Sequence, residues 1–383
     1  MLQKIAFFNE QDYKRAKKAC LEGIKKGDTH FELYAILSAC EISYSNWHAA
    51  VKALKGAFSK DSLHTLDWIR KRGGGEKYYH QAFYFSALDY FKKHKYEEAL
   101  NDIKYTAYFD YCDKNSSILK GAILFKLGRI EEANREYLDI LSRDPKNPDI
   151  NFLIGKSLFE AGAFDSCLKY FINAMKYYRP KYKRTLQVLF QNKIDVDDKL
   201  TRKVLRLWFN KQLQELDELF KKELKLTDGL AAHNEVMLGL SRAATDLAHT
   251  YYYIGMVYYN LKEDSAALQN LENCLRFKPD DIDALFFASE ILIKFKEYQK
   301  AREYLEELTK INPDDQDAWF YLAVCYTQLG FYKRAIEIYE NRMLPVDPNR
   351  VEVLTNLAYL YAQLGNDAKS NEYLQRAKEN EGR

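Results

Sequence analysis

The side chains that could do chemistry are plentiful in this chain, but they do not gather into a reacting site. Seven histidines (His30, His48, His64, His80, His94, His233 and His249) are scattered along 383 residues. No H-E-x-x-H, no G-x-S-x-G and no glycine-rich dinucleotide turn occurs. Carboxylate pairs such as Asp280–Asp281 and Asp314–Asp315 fall in turns, where such residues cap helices. Cys20, Cys40, Cys112, Cys167, Cys274 and Cys325 form no C-x-x-C, and their spacing suits neither zinc nor a disulfide framework. They read as free thiols of a reducing compartment, which makes the cytoplasm the expected location. With no nucleophile, base and electrostatic hole in mutual reach, the expectation is no enzyme, cofactor, metal or small-molecule substrate.

What remains is chemistry of recognition. There are 30 Tyr and 22 Phe, and a basic run spans residues 176–211. That run holds 11 Lys or Arg against Asp195, Asp197 and Asp198. It reads as a solvated helical face, or as a contact for an acidic partner through Arg184, Arg202, Lys203 and Arg206. The net charge of +3 is too small to point to nucleic acid by itself. Gly73, Gly74 and Gly75, beside Arg70, Lys71, Arg72 and Lys77, lack the phosphate-loop spacing and read as a flexible basic loop.

The elements that must position these groups are set by a 34-residue register of small residues. Ala267, Ala301 and Ala335 keep that spacing, as do Ala99, Ala133 and Cys167, and Ala16 and Ala50. Each sits in a frame of helix, tight turn and second helix opening with the small residue. A repeat of that length cannot bury its apolar face alone, so it must stack on its neighbours. The scarcity of Gly (16) and Pro (7) fits long helices with short turns.

The register divides the chain into five stretches. Residues 1–60 hold a partial and a weak repeat, the latter with Glu41 where an apolar residue is usual. Residues 61–78 are expected to be the basic glycine-rich loop. Residues 79–180 form a three-repeat block, 181–247 a non-consensus helical insert, and 248–383 a four-repeat block with a one-residue insertion near Leu344–Pro348. The N-terminal sequence carries no apolar run or cleavage site of a signal peptide, and no segment approaches the roughly 18 apolar residues of a membrane span.

The best repeat carries Trp319, Leu322, Ala323 and Tyr326, then Gly330, Ala335 and Tyr339; the preceding one ends in Pro313. This pattern resembles the tetratricopeptide repeat family, whose motif is W-x2-L-G-x2-Y followed by a small residue, an aromatic, an alanine and a proline. The resemblance implies an all-α, right-handed superhelical solenoid whose concave wall is lined by the first helix of each repeat. The phase of those helices then gives the expected peptide-binding row: Tyr84, Phe91, Phe125, Phe152 and Phe159 in the N-terminal block, and Tyr252, Met256, Tyr259, Phe286, Phe320 and Tyr359 in the C-terminal block. The Lys/Asn/Arg clamp that one branch of the family uses to hold chaperone C-termini is absent. The function read from this is a non-enzymatic adaptor that holds a peptide or helix in an aromatic groove. A structural subunit that assembles through its repeats is the second reading. An acidic-partner or nucleic-acid binder working through residues 176–211 is the third.

Overall fold

The computed structural model describes residues 12–72, 75–109, 111, 113–190, 198–222 and 229–381. It divides into two compact units, Met1–Ala161 and Gly162–Arg383. Every long element among the described residues is a helix.

The first unit runs α1 (Tyr13–Lys25), α2 (Phe31–Ser43), α3 (Trp47–Lys60), α4 (Ser62–Arg72), α5 (Glu76–Lys92), α6 (Tyr96–Ile103), α7 (Lys114–Lys126), α8 (Ile130–Arg143) and α9 (Pro148–Glu160). The second runs α10 (Phe164–Leu189), α11 (Asp198–Phe209), α12 (Leu213–Lys222), α13 (Gly229–Asn260), α14 (Asp264–Phe277), α15 (Ile282–Lys294), α16 (Tyr298–Ile311), α17 (Gln316–Gln328), α18 (Tyr332–Ile338), α19 (Val351–Gln363) and α20 (Asp367–Asn380).

The repeat is written into the backbone as well as the side chains. Asp113, Asn147, Asp281 and Asp315 each open a first helix by accepting a backbone N–H, at 2.9–3.1 Å. The first helices α2, α5, α7, α13, α15, α17 and α19 end in a residue with positive φ, respectively Ser45, His94, Gly128, Lys262, Lys296, Gly330 and Gly365. The N–H of the next residue then closes on the carbonyl five positions back. Arg129 to Leu124, Glu263 to Tyr258 and Phe331 to Tyr326 do so at 2.8–2.9 Å.

The small residues sit where two helices cross. Ala99, Ala133, Cys167, Ala267, Ala301 and Ala335 are fully buried. A Cβ added at Gly121 would lie 2.4 Å from the Tyr137 ring. Large residues three or four positions away fill the flanking holes.

Three expectations need amendment. Residues 61–78 are expected to be a loop, but Ser62–Arg72 is a helix, opened by Asp61, which accepts from His64 N at 3.0 Å. Thr65, Trp68 and Ile69 are buried, and the last two join the core of α2 and α3. Helical spacing of apolar residues therefore outweighs the local basic charge. Gly73 and Gly74 lie outside the described residues, and Gly75 has φ +91°.

The insert is also less separate than expected. Its first part continues the repeat helix α10 through Pro180 to Leu189, and its last part is the N-terminal half of the 32-residue α13. Between them, α11 and α12 form another helix pair, joined by the same positive-φ turn at Lys211. The extra residue near Leu344 is absorbed slightly upstream. Tyr339–Met343 forms a π turn in which Leu344 N reaches Tyr339 O at 2.9 Å. Glu340 in this turn accepts from Tyr361 Oη at 2.7 Å and Tyr373 Oη at 2.8 Å, which fastens the last helix pair.

Candidate functional site

The expected aromatic row lies at fixed register positions on first helices. In the first unit, Tyr84 and Phe91 are on α5, Phe125 on α7, and Phe152 and Phe159 on α9. All are half-buried. In the second unit, Tyr252, Phe286 and Phe320 are spaced by 34 residues on α13, α15 and α17, and each is half-buried. Tyr259 is half-buried too, whereas Tyr359 on α19 is 50% exposed. Met256 does not belong to an exposed row. It is 8% exposed, on a helix packed against α10 and α14.

Rings of neighbouring first helices touch. Tyr259 meets Phe287 at 5.3 Å between centroids, and Phe286 meets Tyr321 at 5.8 Å, both edge to face. Phe320 lies beside Tyr321 and Tyr339. The result in the second unit is one aromatic surface spanning α13, α15 and α17.

Carboxylates run beside these rings, a feature that the aromatic pattern alone does not reveal. Asp283, Asp317 and Glu352 occupy the second position of α15, α17 and α19. The signal was in the register itself: Asp283 and Asp317 are 34 apart. Tyr259 Oη donates to Glu290 at 2.9 Å, and burial together with that carboxylate pushes the phenol up to about 12. Burial also raises Tyr252, with Asp283 the next cause, and Tyr321, with Glu290 and Asp317 next.

Cations of the chain itself sit on this surface. Arg350 lies 4.8 Å from the Phe320 ring centroid, 3.9 Å from Asp317 and 3.6 Å from Glu352. Lys294 lies 4.9 Å from the Tyr259 ring centroid and 4.0 Å from Glu290.

The basic residues of the insert divide. Arg184 is exposed on α10. Arg202, Lys203 and Arg206 line a cleft of about 960 Å³ whose far wall carries Glu272, Glu303 and Glu307. Arg206 is 3.0 Å from Glu307. The acidic surface beside this helix thus belongs to the chain itself.

One polar trio has the outline of a catalytic triad. His48 lies 2.6 Å from Asp89 and 2.8 Å from Ser86 Oγ. Ser86 is fully buried, and its hydroxyl donates to Asp102, which also holds Lys55 at 2.6 Å. The trio is a polar bridge between α3 and the next repeat, because its serine cannot meet a substrate. Cys20, Cys40, Cys167, Cys274 and Cys325 are buried free thiols, and burial pushes Cys20 and Cys40 up to about 12, far from reactive thiolate. Cys112 lies outside the described residues. Among the described residues no cluster of His, Cys, Asp and Glu could hold a metal, and no helix is long and apolar enough to cross a membrane.

Profiles of the tetratricopeptide repeat family match residues 118–171, 248–281, 265–322, 292–345 and 351–381. The chain is a tetratricopeptide repeat protein. Among solved structures, YrrB, described as a TPR protein with an unusual peptide-binding site, is 16% identical over 64% of this chain and 91% of its own, with a TM-score of 0.44. Pseudomonas aeruginosa pilF is 13% identical over 72% of this chain and 94% of its own, with a TM-score of 0.47. MamA is 20% identical over 39% and 91%, with a TM-score of 0.33. No curated protein matches the chain. Membership of this family makes the chain a scaffold for protein interaction, with protein partners.

Proposed function

We propose that this tetratricopeptide repeat scaffold works as an adaptor, holding a peptide or helix of another protein against the aromatic surface of α13, α15 and α17. The observation that carries this reading is the ladder Tyr252, Phe286 and Phe320. These three occupy one register position in three consecutive repeats, and each packs against the core while staying half-exposed. Aromatic anchors of this kind dominate interface energies, with truncations costing about 2 kcal/mol or more. Repeat proteins of this sort act through such surfaces rather than by catalysis.

The test replaces Tyr252, Tyr259 and Phe286 together by Ala. Partners captured by the wild-type chain are identified by mass spectrometry and titrated against both proteins. Loss of binding with unchanged circular dichroism supports the reading. Undiminished binding refutes it and turns attention to the helix pair α11–α12.

A further inference from the structure

The chain shows how its own aromatic surface treats positive charge. Arg350 is held by a ring and carboxylates together, namely Phe320 with Asp317 and Glu352. Lys294 is held by the Tyr259 ring, with Glu290 and Asp264 around its ammonium group. A ring face and a carboxylate each attract a cation, and both do so more strongly where water is partly excluded.

A third seat has the same composition. Asp283 precedes Phe286 by three residues on α15, as Asp317 precedes Phe320 on α17, and residues so spaced are neighbours on one helix face. Asp283 is also close enough to Tyr252 to raise its phenol. Here, among the described residues, no cation lies within ion-pair distance. Lys278, whose charge acts on Asp283, is 3.0 Å from Asp281 instead. Asp283 is exposed to a partner, and partial burial with the neighbouring Asp281 holds its carboxyl above its ordinary range, a shift that a cation placed there would oppose.

We infer that the segment bound by the second unit is cationic, and that a lysine or arginine of that segment seats between Asp283, Tyr252 and Phe286. This rests on the aromatic surface being the docking site. Recognition then divides in two: the rings supply contact area, and Asp283 selects charge and sets the register along the repeats.

The experiment selects binders to the immobilised full-length chain from a random dodecapeptide display library. Enriched peptides are synthesised and titrated by fluorescence anisotropy. The expected winners carry Lys or Arg beside apolar anchors, lose affinity as salt rises, and bind Asp283→Asn roughly tenfold more weakly. Asp283→Lys should reject them and accept the same peptides with Glu in place of the key cation. Circular dichroism and melting confirm the fold of each variant, and Asp283 is not the helix cap, a task that Asp281 performs.

Enrichment of acidic or neutral peptides overturns the inference, as does binding of basic peptides that is indifferent to Asp283→Asn and Asp283→Lys. In either case, sensitivity to Tyr252→Ala with Phe286→Ala would leave the aromatic site standing. Indifference to the ring variants, or no enrichment at all, removes both. A doubled solution mass that collapses in the ring variants would make a second copy of the chain the occupant, and would equally overturn the inference.

Discussion

Replacing Gly121 by Ala sets two known effects against each other. In an exposed helix the change stabilises by about 1 kcal/mol, because alanine gives up less backbone freedom than glycine. At this site the new methyl would lie 2.4, 2.7 and 3.0 Å from Cε1, Cζ and Cδ1 of Tyr137. Tyr137 is 2% exposed, so its rigid ring cannot swing aside without moving its neighbours. Overpacking of this kind costs about 1–3 kcal/mol, and three contacts on one ring place it in the upper part of that range. The net expectation is a loss of about 1–2 kcal/mol, or a melting temperature lower by about 2–8 °C for a unit of this size. Scanning calorimetry reads the shift. A double-mutant cycle with Tyr137→Leu should show the two changes relieving each other. Gly255→Ala should be milder, since its closest contact is Leu271 Cγ at 3.0 Å on a flexible aliphatic chain. A Gly121→Ala protein that melts at or above wild type would refute the claim that this glycine is a crossing point.

Two further expectations concern buried charge. Glu41 is 6% exposed, with Lys17 at 2.8 Å and Asn46 donating to it at 3.0 Å. Lys17→Met should therefore cost about 1–3 kcal/mol by stranding the carboxylate, whereas Glu41→Leu should change stability by less than about 1 kcal/mol. Equal losses in urea titrations would contradict this. His80 is buried, and burial lowers its imidazole below 6.5, against a smaller opposing pull from Asp113. The unfolded chain takes up that proton first as pH falls, so stability is full above the ordinary value and is lost below it. The urea midpoint of the first unit should fall between about pH 7.5 and about pH 5.5, and His80→Asn should flatten the dependence. Identical pH profiles for the two proteins would rule it out.

The fold was legible because its signal is repeated. A small residue at the helix crossings, an Asp or Asn cap before four of the first helices and a left-handed turn after them recur at one spacing, so errors at single positions average out. The helix Ser62–Arg72 was not legible, because it occurs once and its three glycines and four nearby cations dominate the local composition. Only the burial of Trp68 and Ile69 against α2 and α3 reveals it. The aromatic surface was half legible. Phase placed Tyr252, Phe286 and Phe320 on one face, but phase alone cannot tell that Met256 is buried. Carboxylates at Asp283, Asp317 and Glu352 were hidden by their ordinariness, since acidic residues are common in any first helical turn.

The π turn at Tyr339–Met343 bears on how an array of this kind tolerates changes in length. One extra residue inside a regular helix would twist everything beyond it by about 100° and push it on by about 1.5 Å. In a one-dimensional stack that phase error would pass to every later unit. The widened turn behaves like an expansion joint: it takes up the residue where it occurs, and Ala358 and Tyr361 remain buried as their counterparts one repeat earlier are. Because Glu340 in the joint also anchors Tyr361 and Tyr373 of the final helix pair, the slack is introduced and secured at the same point.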